Sequence, residues 1–90
     1  MKVVWLARAR AARQAAIDFI AQDDPLAALS QIDEIEQQVD LLASQPRMGR
    51  PGRVKGTREI VIGRTSFILV YRIDPKAERL EVLHFLHGAQ

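Results

Sequence analysis

The chain has no cysteine, two histidines, one tryptophan, one tyrosine and no apolar run of membrane-spanning length. Without cysteine there is neither a disulfide framework nor a thiolate nucleophile, and a zinc site would have to draw on the two histidines and on carboxylates. No metal and no cofactor is therefore expected. The start, Met1-Lys2-Val3-Val4-Trp5-Leu6, places one cation before a short apolar run, and Ala7-Arg8-Ala9-Arg10 interrupts it well short of a secretory signal core or a membrane span. A cytoplasmic protein without a membrane partner is the expectation. Scarce aromatics also argue against base stacking along a single nucleic-acid strand.

What is present fits one small domain spanning 1–90, since a chain of this length with 48% hydrophobic residues can bury one core and no more. The net charge of +2 hides a strong asymmetry. Positions 23 to 46 hold six acids and no base, whereas positions 47 to 72 hold seven bases and one acid. One surface should be acidic and another basic, the basic one open to nucleic acid or to an acidic protein segment.

Val3, Val4 and Trp5 predict a short strand over Lys2 to Leu6. From Ala7 to Gln22, Ala9, Ala12, Ala16, Phe19 and Ile20 recur at helical spacing. Asp23-Asp24-Pro25 then ends one helix and opens another, Asp24 as the cap and Pro25 at the first helical position. Leu26, Leu29, Ile32, Ile35, Val39 and Leu42 form one apolar stripe, so the two helices are read as an antiparallel hairpin over about Arg8 to Ser44. A loop rich in arginine, proline and glycine follows. Val54–Ile62 and Ser66–Ile73 are read as strands joined by Gly63-Arg64-Thr65, with the glycine supplying a positive φ. The second of these is apolar on both faces except at Arg72, which predicts a central position. Leu80–His87 is the last strand, with His84 grouped among Leu80, Val82 and Leu86 as a packing histidine. The fold class is thus α+β in the order β-α-α-β-β-β, the helical hairpin on one face of a small, mainly antiparallel sheet whose other face is left for function.

The order of elements, the run Arg47-Met48-Gly49-Arg50-Pro51-Gly52-Arg53-Val54-Lys55-Gly56-Thr57-Arg58-Glu59-Ile60-Val61-Ile62, the strand Ile68-Leu69-Val70-Tyr71-Arg72-Ile73 and the ending Val82-Leu83-His84-Phe85-Leu86-His87-Gly88 together resemble the RelE/ParE superfamily of bacterial toxins. The resemblance implies the toxin half of a type II toxin–antitoxin pair, partnered by a cognate antitoxin whose acidic, amphipathic tail folds across the basic surface. RelE-like members cleave mRNA on the ribosome without a metal, and ParE-like members poison DNA gyrase without a known nuclease site. ParE-like proteins commonly continue past their late histidine into a tail, and this chain has three residues there. The expectation therefore leans to mRNA cleavage on the ribosome, with gyrase inhibition as the alternative.

Metal-free RNA cleavage requires a base for the 2′-hydroxyl, a cation for the pentavalent phosphate and an acid for the leaving oxygen. What the resemblance implies for those roles is a catalytic set of Arg58, Arg72 and His87, with Arg50, Arg53, Lys55 and Arg64 contacting nucleic acid or target. Each also has a plainer reading. Arg72 could pair with an acid such as Glu59 or Glu81, His87 could be a structural hydrogen-bonding histidine, and Trp5 and Tyr71 are most simply core aromatics.

Overall fold

The alanines of the first helical segment and the capping pair Asp24-Pro25 set the local structure before any packing is considered. In the computed structural model, which describes residues 1–88, β1 (Lys2–Trp5) leads into α1 (Ala7–Asp23), α2 (Pro25–Ser44), β2 (Arg50–Pro51), β3 (Arg58–Val61), β4 (Phe67–Asp74) and β5 (Arg79–His87). The Asp24 carboxylate accepts the Ala27 amide at 3.0 Å, and the Asp24 N–H closes α1 onto the Ile20 carbonyl. Both devices sit within one residue of each other, which is why the hairpin is so tight.

The five strands lie in the order β1-β5-β4-β3-β2, all neighbours antiparallel except the parallel pair β1 and β5. The helices cover one face of this mixed sheet, α1 lying on β5 and α2 reaching β1. Ala9, Ile17, Ala28, Ile35 and Leu42 from the helices meet Ile62, Phe67, Leu69, Tyr71, Leu80, Val82 and Phe85 from the sheet. Trp5 packs beside this core with the Arg13 guanidinium 4.4 Å above its ring, a cation–π contact that ties α1 to β1. No helix among the described residues is long and apolar enough to cross a membrane.

Four expectations are corrected. The third strand begins at Arg58 rather than Val54, because Val54–Thr57 is a turn closed by Thr57 N–H to the Val54 carbonyl, and a short edge strand at Arg50–Pro51 appears instead inside the basic loop. In the β3–β4 hairpin the positive φ falls on Arg64, at 63°, and not on Gly63. Phe19, Leu26 and Leu29, expected in the helical seam, are exposed by 68%, 77% and 59%, since they sit at the hairpin tip beyond the sheet's cover. Finally, β5 carries a bulge. Tyr71 pairs with Val82 and Val70 with His84, so Leu83 is the extra residue and the alternation of β5 reverses after it. Leu80 and Val82 face the helices, but His84 and Leu86 turn to the open face, and His84 is exposed rather than packed.

Candidate functional site

The basic loop is fixed by a latch from the sheet. The Tyr71 hydroxyl donates to the Pro46 carbonyl at 2.8 Å and accepts the Gly49 amide at 2.9 Å. From β3, Arg58 Nη1 donates to the carbonyls of Arg47 at 3.1 Å and Gly49 at 2.8 Å. Tyr71 has no exposed surface, and burial raises its phenol pKa above the ordinary value against the smaller opposing effects of the Gly49 hydrogen bond and the Arg58 charge. Gly49 has to be glycine here, because a Cβ would lie 2.5 Å from the Tyr71 hydroxyl and 2.9 Å from the Glu59 carbonyl.

Beyond the latch, Arg50 and Pro51 pair with Glu59 and Arg58. Proline without an N–H suits an edge strand and blunts it against pairing with other chains. The Glu59 carboxylate receives Arg50 Nη2 and the Arg53 amide, both at 3.4 Å, and so orders two basic residues along the sheet margin. The ion pair is solvent-exposed at Arg50 and orients more than it stabilises.

This margin opens on a groove of about 520 Å³ on the face of the sheet that the helices leave bare, lined by Arg50, Arg53, Glu59, Ile68, Leu86, His87 and Gly88. Val61 pairs with Ile68, which in turn pairs with Leu86, so these three form an apolar patch across three strands. Val61 and Leu86 are 53% and 47% exposed. Apolar floor and basic rim together suit a protein segment carrying both acidic and aliphatic side chains.

Of the residues singled out from the sequence, Arg50 and Arg53 share this groove, and His87 borders its end with its ring turned to the Phe67 side of the sheet. Lys55 stands exposed on the adjoining turn, and Arg64 lies at the hairpin, 3.7 Å from Glu34 of α2. Arg58, Arg72 and His87 are separated. His87 lies opposite Phe67 and stacks on its ring, centroids 5.0 Å apart. Arg72 lies opposite Glu81, five positions further along β4 and on the other face, a span of roughly 16 Å at the usual strand rise. Arg58 pairs with Tyr71 and so points to the opposite side of the sheet from Arg72.

Arg72 has the second of its two sequence readings, an acid partner. Its Nε donates to Glu81 Oε1 at 2.6 Å, while Arg79 Nε donates to Oε2 at 3.0 Å. Glu81 is only 6% exposed beneath the two guanidiniums. The Arg72 hydrogen bond, with the charges of both arginines, outweighs burial and holds the carboxyl below its ordinary pKa. Sequence reasoning missed Tyr71 as a latch and the patch of Val61, Ile68 and Leu86. A buried tyrosine always requires a hydroxyl partner, which was a usable signal for the first; the second depended on the bulge.

Comparison with known proteins follows the same architecture. The sequence model of the family described as ParE toxin of type II toxin-antitoxin system, parDE, matches residues 3–90. A provisionally named toxin, Y4kP, of Sinorhizobium fredii is 40% identical over 83 residues, covering 92% of this chain and 86% of its own length. Among solved structures, the chromosomal ParDE system of P. aeruginosa superposes with a TM-score of 0.83 at 26% identity, covering 97% of this chain and 95% of that one. The RelBE2 toxin–antitoxin complex of Mycobacterium tuberculosis shares the fold, with a TM-score of 0.65 at 24% identity over 96% of this chain and 95% of that one.

Proposed function

Because the chain belongs to the ParE toxin family and is the toxin of a type II toxin–antitoxin system, we propose that it arrests growth by inhibiting DNA gyrase rather than by cleaving mRNA on the ribosome. The observation that carries this reading is the separation of Arg58, Arg72 and His87. A single scissile phosphate has to lie within hydrogen-bond reach of base, cation and acid, about 3 Å from each. Here Arg72 and His87 stand five strand positions apart on opposite faces, Arg58 Nη1 is taken by two carbonyls, and Arg72 is taken by Glu81. This weighs against the sequence-based lean toward ribosomal mRNA, whose catalytic set was named by residue type without its geometry.

The groove between Arg50, Arg53 and Leu86 supports a protein as its occupant. A cognate antitoxin with an acidic, amphipathic segment would cover its apolar floor and neutralise its rim, so that inhibition and relief act on one surface.

The test uses purified toxin with gyrase and, separately, with programmed ribosomes. Supercoiling should fall as toxin is added, and mRNA should stay intact. Cleaved mRNA whose formation is abolished by Arg72→Ala, with supercoiling unaffected, would return the protein to the ribonuclease class.

A further inference from the structure

A second concavity lies on the other side of the basic loop. It has a volume of about 390 Å³ and is lined by Arg47, Pro51, Gly56, Thr57, Arg58, Ile73 and Pro75, so its charged lining is two guanidiniums and no carboxylate. The nearest acids are engaged elsewhere. Glu59 turns to the groove, where it holds Arg50 and the Arg53 amide, and Asp74 accepts the Ala77 amide at 3.1 Å.

Arg58 is the fixed member of the pair. Both of its hydrogen bonds leave from Nη1, and among the described residues its Nε and Nη2 have no partner. A guanidinium already immobilised by two carbonyls loses little further freedom when a ligand arrives, which is the usual cost of recruiting a long side chain. Arg47 is anchored differently: its carbonyl is held by Arg58, and its own guanidinium is free at the exposed rim. Thr57 spends its hydroxyl hydrogen on the Val54 carbonyl and offers no donor, leaving the arginines as the anchoring groups. Pro51, Ile73 and Pro75 supply apolar walls that strengthen any charge interaction between them.

We infer that this cavity binds a phosphoryl oxyanion, held by the Nε and Nη2 edge of Arg58 with Arg47 as the second cation. A phosphoryl group brings more oxygens and more negative charge than a single carboxylate to a lining of two guanidiniums with no acid of its own, and the glutamate peptide below tests the carboxylate as competitor. The lining has no histidine and no carboxylate to move a proton, so the site binds and does not cleave. It is independent of the gyrase reading, since it involves neither the open groove nor that target.

The inference is tested on the purified full chain by ¹H–¹⁵N spectra during titration with sodium phosphate, against sodium chloride at equal ionic strength. Parallel titrations use a thymidine dinucleotide, which carries one phosphodiester, and a glutamate-rich peptide. Phosphate should shift the Arg58 Nε–H and Thr57 amide signals selectively. Arg47→Gln keeps the backbone carbonyl that Arg58 uses, so it should weaken phosphate binding about tenfold, as the loss of one charged hydrogen bond does, without moving the melting temperature. A dinucleotide that binds more tightly than phosphate assigns the site to a nucleic-acid backbone; one that binds more weakly assigns it to free phosphate. Shifts no larger than in chloride, unchanged binding by Arg47→Gln, or a glutamate peptide that outcompetes both phosphate ligands would overturn it.

Discussion

At Gly49 one missing methyl group decides whether a loop of four residues can close on the sheet. Gly49→Ala would push a Cβ into the Tyr71 hydroxyl and the Glu59 carbonyl, so the latch bonds of Tyr71 and Arg58 to residues 46–49 have to lengthen or break. The expected loss is about 2–4 kcal/mol in urea unfolding, the range for leaving buried hydrogen-bonding groups unmatched. An unchanged urea midpoint would remove the latch as a structural unit. Glu81 gives a pH signature. Its carboxyl is held below the ordinary range first by the Arg72 hydrogen bond, so it stabilises the fold above the unfolded-state pKa, and that contribution disappears as pH falls through the folded value. Glu81→Gln should therefore melt below the wild type at neutral pH, and the gap should begin to close as the pH drops beneath roughly 4, the ordinary glutamate range, and vanish only below the lowered folded value. A gap that stays constant down to strongly acidic pH would rule out the ion cluster as its source. At this scale the sequence was partly readable. Arg72 had Glu81 among its named acid partners, yet Phe19 and His84 were misplaced, because periodicity reports which residues share a line and not where the neighbouring surface ends.

The helical hairpin separates along its length into a packed half and an uncovered tip. Ile35 is 2% exposed against the sheet-facing core, whereas Leu26, nine residues earlier on the same apolar stripe, is 77% exposed. Ile35→Asp should unfold the protein, since an unpaired buried charge costs several kcal/mol against a total stability of about 5–15. Leu26→Asp should leave the thermal midpoint near that of the wild type. Equal effects at the two positions in circular-dichroism melts would mean that the tip is packed as tightly as the base. Helix bounds were legible to within a residue or so because their signals are local: an Asp-Pro cap and runs of alanine. Strand bounds in the basic loop were not, because the edge strand Arg50–Pro51 exists only through its pairing with β3, and the bulge at Leu83 only through its pairing with β4. The arrangement of the candidate site was not legible for the same reason. Arg58, Arg72 and His87 are suitable residue types for phosphate chemistry, and only register shows that Arg72 faces away from the other two.

Across the whole molecule the two ends of the chain are stitched side by side. β1 lies parallel to β5, the Leu6 amide donates to the Val82 carbonyl at 3.0 Å, and Arg8 Nε reaches the Leu83 carbonyl 75 positions away. Contacts of such sequence separation form late, since a long loop has to close before any of them contributes. On a translating ribosome, α1 therefore leaves the exit without the strand it rests on, and at about 5–20 residues per second several seconds pass before that strand is synthesised. The open groove takes Leu86 and His87 from that same strand. A nascent chain broken off before β5 has no such groove, and if the groove is the toxic surface as proposed, that chain should be harmless to its host.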